Sequence, residues 1–135
     1  MILGIDHVGI AVTSAADAGA GFSTLTGTPA TAVEPFESLH VRLCFVPTAG
    51  AQLELLEPLD GQSAVARFLE RRGEGLHHVC FAVDDIRAEA ARLAAAGYQL
   101  LDAAPRPGHG GMVVFLHPRS ASGVLVELLQ RDHPR

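Results

Sequence analysis

Hydrophobic and polar positions along the chain switch between a two-residue and a helical period, and the switches set out an order of elements. Residues 2–12 (ILGIDHVGIAV) predict a strand; with no basic leader and no small-residue cleavage site, they read as the start of the folded chain and not as a signal peptide. Ser14 then opens an Ala-rich helix to about Leu25, followed by extended segments near 30–36, 39–47 and 51–57. The stretch SAVARFLERR predicts a linking helix from Ser63 to Arg72, with Ser63 as N-cap and Gly73 past its end. A strand over 76–83 leads into a helix from Asp85 to Ala96, which Asp85 caps in front and Gly97 ends; strands are expected near 98–102, 111–117 and 123–130.

The same order occurs twice because the sequence contains itself twice. His7-Val8-Gly9-Ile10-Ala11-Val12 matches His78-Val79-Cys80-Phe81-Ala82-Val83 at an offset of 71, with four of six residues identical. Leu53-Glu54-Leu55-Leu56 matches Val126-Glu127-Leu128-Leu129 at an offset of 73. Each half therefore reads βαβββ. The expected fold is α+β, one domain over 1–135 in which two βαβββ modules pair around a pseudo-twofold axis: repeat 1 over about 1–60, the linking helix over about 62–73, repeat 2 over about 75–131.

Composition narrows the function. A chain of 135 residues, 48% hydrophobic with a formal charge of −5, can bury a core, holds no apolar run of membrane-spanning length and offers no basic face for nucleic acid. Every basic residue is Arg, so Schiff-base lysine chemistry and a P-loop lysine are excluded; there is no Trp, and Tyr98 is the only Tyr, which argues against stacking on bases. Cys44 and Cys80 lie in apolar strand-like runs, where free buried thiols and a reducing cytoplasm are expected.

Candidate chemistry lies where the repeat carries polar residues. A His occupies an early strand and a Glu a late one in each half: His7 and Glu54, then His78 and Glu127. Taken singly, a strand His is usually a hydrogen-bonded core residue and a strand Glu usually faces water. A purely structural repeat, however, would conserve apolar positions and leave no reason for both polar pairs to recur. If the halves pack about a twofold axis, two imidazoles and two carboxylates converge as ligands for one divalent metal ion. Adjacent His77 and His78 must face opposite sides of their strand, and the repeat register selects His78. His40, His109, His117 and His133 have no repeat counterpart; RPGHGG around His109 reads as a mobile hairpin connection that can act as a lid.

On these residues the chain resembles the vicinal oxygen chelate superfamily (glyoxalase, bleomycin resistance and dioxygenase proteins). Within it the chain is similar to the methylmalonyl-CoA epimerase subfamily through LELLEPL, FLERRGEGLHHVCFAVDDI, PRPGHGG and VVFLHPRSASGVLVEL. The resemblance implies a homodimer acting on an acyl-CoA. It implies one divalent ion, cobalt first with manganese, nickel, zinc or magnesium as alternatives, held by His7, Glu54, His78 and Glu127. The reaction it implies is inversion of the 2-carbon of methylmalonyl-CoA through a metal-stabilised enolate, with Glu127 as both ligand and base.

One departure stands out. Several family members carry a second Glu on the strand before LELL, and aligning from Pro47 puts Arg42 at that position, where no useful titration is available. The second proton carrier is then His40, expected two residues from Arg42 on the same strand face, or a solvent water. Alternative readings are a glyoxalase I-type lyase, against which the linking stretch FLERRGEGLHH counts, and a non-catalytic binder that sequesters a small molecule such as an antibiotic.

Overall fold

The computed structural model describes residues 1–133 and divides into two compact units, His7–His77 and, separately, Met1–Asp6 with the residues from His78 on. Both carry the predicted order of elements. Among the described residues no helix is long and apolar enough to cross a membrane.

In the first of these units the end of β1 (Ile2–Ala11) precedes α1 (Ala15–Thr26), β2 (Glu34–Phe36), β3 (Val41–Val46), β4 (Gln52–Pro58) and α2 (Ala64–Arg72). The sheet order is β2-β3-β4-β1, antiparallel except for the β4–β1 pair. Ser14 caps α1 by accepting from the Asp17 N–H, and Ser63 caps α2 by accepting from the Ala66 N–H, as the sequence predicted. Apolar faces explain the packing: α1 lies over Cys44, Val46 and Leu55, whereas Val65, Phe68 and Leu69 of α2 lie over Val41, Leu43 and Leu56. Among these, the fully buried Leu43, Val46 and Leu55 each contribute roughly 1.5–3 kcal/mol.

The second unit runs through β5 (Gly75–Val83), α3 (Ile86–Ala95), β6 (Arg106–Gly108), β7 (Gly111–Leu116) and β8 (Val126–Arg131), in the order β5-β8-β7-β6 with β5 and β8 parallel. Asp85 caps α3 by accepting from the Ala88 N–H, and Ile86, Ala90 and Leu93 pack on Val114, Leu116 and Leu128. The buried Glu89 of α3 lies 2.6 Å from the Met1 ammonium and 2.8 Å from Arg92 Nε. The ammonium, ahead of Arg92, holds the Glu89 carboxyl below the usual carboxylate range. Asp6 is 1% exposed and accepts two bonds from Arg131, 2.6 Å from Nε and 2.9 Å from Nη2.

Three predicted segments are corrected. The extended segment expected over 39–47 begins only at Val41: residues 37–39 form a 3₁₀ turn, and His40 ends it with φ 55°. The strand expected near 98–102 is reduced to a single bridge between Leu100 and Leu116, and the short strand of this half is instead Arg106–Gly108, inside the segment read as a mobile connection. Its turn is tight, pairing Gly108 with Gly111. The strand expected from 123 starts at Val126, because Pro118–Ala121 forms a 3₁₀ turn and Ser122 takes φ 57°.

Gly111 is required by close approach. A Cβ there would collide with the Gln130 carbonyl oxygen and come within 2.9 Å of Arg131 Cα, both backbone atoms of β8. Gly111→Ala is expected to destabilise the protein by about 3 kcal/mol, the upper range for overpacking, read as a lower midpoint in urea unfolding.

Candidate metal centre

The paired strands explain why a polar pair survives inside each apolar sheet. In the His7–His77 unit, Glu54 on β4 is in register with Gly9 of β1 and Phe45 of β3, so His7, Glu54 and Phe45 share one sheet face. In the other unit, Glu127 on β8 is in register with Cys80 of β5 and Phe115 of β7, which places His78, Glu127 and Phe115 on one face. All four polar residues are buried: His7 4% exposed, Glu54 6%, His78 6% and Glu127 9%.

The structure brings the predicted residues together in two pairs. His7 Nε2 lies 3.4 Å from Glu54 Oε1, and His78 Nε2 lies 3.2 Å from Glu127 Oε1. Both separations exceed the roughly 2.7–2.9 Å of a charge-assisted N–H···O⁻ bond. They match two donors held about 2.1 Å from one cation at a tetrahedral or octahedral angle, for which the edge is about 3.0–3.4 Å. One imidazole nitrogen and one carboxylate oxygen per half is also a donor set that borderline divalent ions accept. The pair present in each half therefore fits part of the coordination shell of a divalent ion.

Around these pairs the repeat extends to residues that sequence comparison passed over. His7 and Phe45 meet edge to face, with ring centroids 6.4 Å apart and planes at 79°; His78 and Phe115 do the same at 6.1 Å and 76°. Both Phe backbones are tied: Phe45 N–H donates to Thr31 Oγ1 at 2.8 Å, and Phe115 N–H to Asp102 Oδ2 at 2.9 Å. Behind the strands, Glu57 Oε1 accepts from the Ala15 N–H at the start of α1, and Gln130 Oε1 from the Ile86 N–H at the start of α3, each at 2.9 Å. The available signal was weak, because Phe45 and Phe115 recur at an offset of 70 without identical neighbours.

The remaining candidates sit elsewhere. His77 meets Phe68 of α2 edge to face, with ring centroids 5.1 Å apart, so the adjacent histidines do face opposite sides. Arg42 is in register with Glu57, three residues from Glu54, and therefore points to the opposite face, 3.4 Å from the Glu57 carboxylate. Val41, Leu43 and Phe45 are the β3 residues on the Glu54 face of the sheet, and Phe45 is the one in register with Glu54. His40 is not on a strand, which removes the two-residue alternation argued for it; its Nδ1 lies 3.0 Å from Asp60 Oδ2, and both side chains are nearly half exposed. The Gln62 N–H, and after it His40, hold the Asp60 carboxyl below its ordinary value. Cys44 and Cys80 are free and buried as expected, and burial pushes the Cys44 thiol up, which keeps it protonated and inert.

The model of the Glyoxalase/Bleomycin resistance protein/Dioxygenase superfamily matches residues 6–116. The chain belongs to that superfamily. It is 38% identical over 133 residues to an ethylmalonyl-CoA/methylmalonyl-CoA epimerase of Cereibacter sphaeroides, covering 96% of this chain and 99% of the relative. It is also 38% identical over 127 residues to an uncharacterized protein of Bacillus subtilis, covering 93% and 91%. Among solved structures, a variant of the Streptomyces coelicolor methylmalonyl-CoA epimerase in complex with 2-nitronate-propionyl-CoA superimposes with a TM-score of 0.90 at 33% identity, over 98% of this chain and 100% of that one. The paired βαβββ order inferred from the internal repeat is thus the fold of the superfamily.

Proposed function

We propose that this chain is a metal-dependent epimerase that interconverts (2R)- and (2S)-methylmalonyl-CoA. The observation that carries the reading is the duplicated buried His–Glu pair, whose 3.4 and 3.2 Å separations suit two edges of one coordination shell. In this reading the two units act as one domain over 1–135, and His7, Glu54, His78 and Glu127 converge on one divalent ion, cobalt first. The epimerase relatives at 38% and 33% identity support the substrate class. They favour it over a glyoxalase I-type lyase or a sequestering protein, and a binder of the latter kind has no use for four buried metal-binding side chains.

The α-proton of a thioester is weakly acidic, and a divalent ion supplies Lewis acidity toward the thioester oxygen, where negative charge develops as that proton leaves. Glu127 accepts the proton as the C–H bond breaks, the step for which a carboxylate side chain can serve as general base. The planar enolate then takes a proton on the other face, completing inversion. Asp60 already engages His40, and β3 presents no titratable side chain toward Glu54, so a solvent water is the donor on that face. His40→Ala is accordingly expected to leave both inversion and deuterium exchange nearly unchanged; slowing of inversion well beyond exchange would make His40 the donor.

The test incubates protein holding one ion per chain with each epimer in D2O. Inversion accompanied by deuterium at the 2-carbon is expected, lost on metal removal and restored by metal. Protein that carries the ion yet inverts neither epimer would overturn the reading. The free buried thiols favour a reducing cytoplasm. A homodimer is the assembly that the resemblance implies, and Leu3 and Ile5 of β1, 61% and 47% exposed, offer apolar surface that a second copy would cover. Sedimentation at micromolar concentration would show it as twice the chain mass.

A further inference from the structure

We propose that Phe45 and Phe115 are positioning residues for the metal-binding histidines, a matched pair of aromatic props that fixes each imidazole plane so that Nε2 stays turned toward its carboxylate. The inference rests on the reading of His7 and His78 as ligands. It goes beyond that reading by assigning work to two residues that are not among the proposed ligands.

The geometry is duplicated at every level. Each Phe is the register partner of the ligand Glu on the neighbouring antiparallel strand, Phe45 of Glu54 and Phe115 of Glu127. Each meets its imidazole edge to face, with planes at 79° and 76° and centroids 6.4 and 6.1 Å apart, within the range in which such pairs are oriented by the ring quadrupole. The backbone N–H of each is claimed by a side chain from outside the strand, Thr31 Oγ1 or Asp102 Oδ2, which pins the Phe itself. Packing alone would accept Leu at either position, as it does at Leu43, one pair along the same face of β3. An edge-to-face contact does more than fill volume: it resists rotation of the imidazole about χ2, a broad torsion that an aliphatic contact constrains poorly. Hydrogen-bonding groups that orient a ligating His change metal affinity about 10- to 100-fold when removed, and an aromatic prop is expected at the low end of that range.

In the second half the prop is itself braced. Arg106 lies over the Phe115 ring at 5.6 Å from its centroid and bonds Asp102 through Nε at 3.0 Å. Asp102 is the same residue that accepts from the Phe115 N–H.

The test measures cobalt(II) affinity by chelator competition, together with the visible spectrum of the cobalt form, for the full chain and for Phe45→Leu and Phe115→Leu. Val114→Ala is the stability control: Val114 is fully buried next to Phe115, on the opposite face of β7, so its loss weakens the fold without touching the prop. Each Phe→Leu variant is expected to bind cobalt about tenfold more weakly and with altered ligand-field bands. Val114→Ala should bind within twofold of the parent. Phe→Met at the same positions, which refills the volume flexibly, is expected to behave as Phe→Leu does, and it replaces Leu if that variant does not fold. Variants that fold and bind cobalt as tightly as the parent, with unchanged bands, would overturn the proposal while leaving the metal site standing. A parent protein that takes up no cobalt would instead remove the functional reading, and this inference with it.

Discussion

Glu127→Gln in the metal-loaded protein is expected to lower kcat for inversion by about 10²–10⁴-fold, the range that general-base catalysis supplies, whereas Glu54→Gln keeps activity within about tenfold. Both substitutions preserve side-chain shape, and an amide oxygen can still ligate, so metal content should hold in each. What differs is the proton: a carboxylate at 127 can accept it and an amide cannot. The two halves are near copies in their His, Glu and Phe geometry, so the unequal response must come from what surrounds them. The second half places the Arg106–Asp102 pair behind Phe115, while the neutral Thr31 occupies the corresponding place in the first. The assay is steady-state inversion with metal content determined on the same samples. Equal losses in the two variants at full metal loading would show that Glu127 is not the base.

Arg131→Met is expected to destabilise the fold by about 3 kcal/mol, the lower end of the cost of breaking a buried ion pair from one side. Asp6 is 1% exposed and accepts two bonds from the guanidinium, so removing Arg131 withdraws both bonds and the countercharge from a buried carboxylate. The lower end applies because the Arg131 side chain keeps 24% of its surface in water. In a domain of this size that corresponds to a fall in Tm of roughly 10 °C. The double variant Asp6→Asn with Arg131→Met is expected to regain most of the loss, since charge and countercharge leave together. A double variant no more stable than Arg131→Met alone would mean that the arginine acts through its packing and not through the carboxylate.

Local chemistry was enough to expose much of this protein in its sequence. Helix caps depend on a side chain bonding a backbone N–H three residues on, and Ser14, Ser63 and Asp85 act where the sequence put them. The recurrence of His7 and Glu54 as His78 and Glu127 needed no coordinates, because a charge inside an apolar strand is costly and its repetition is informative. Whatever depended on register or on residues far apart in the chain was decided by tertiary structure alone. One residue of register turns a side chain to the other face of a sheet, so Arg42 stands away from Glu54 and Phe45 stands beside it. A left-handed backbone at His40 removed it from the strand, and the hairpin at 106–111 displaced the strand expected near 98–102. The aromatic props and the Asp6–Arg131 pair join residues tens to more than a hundred positions apart. No local pattern encodes such contacts, because they form only when strands distant in sequence have paired and closed the same apolar face.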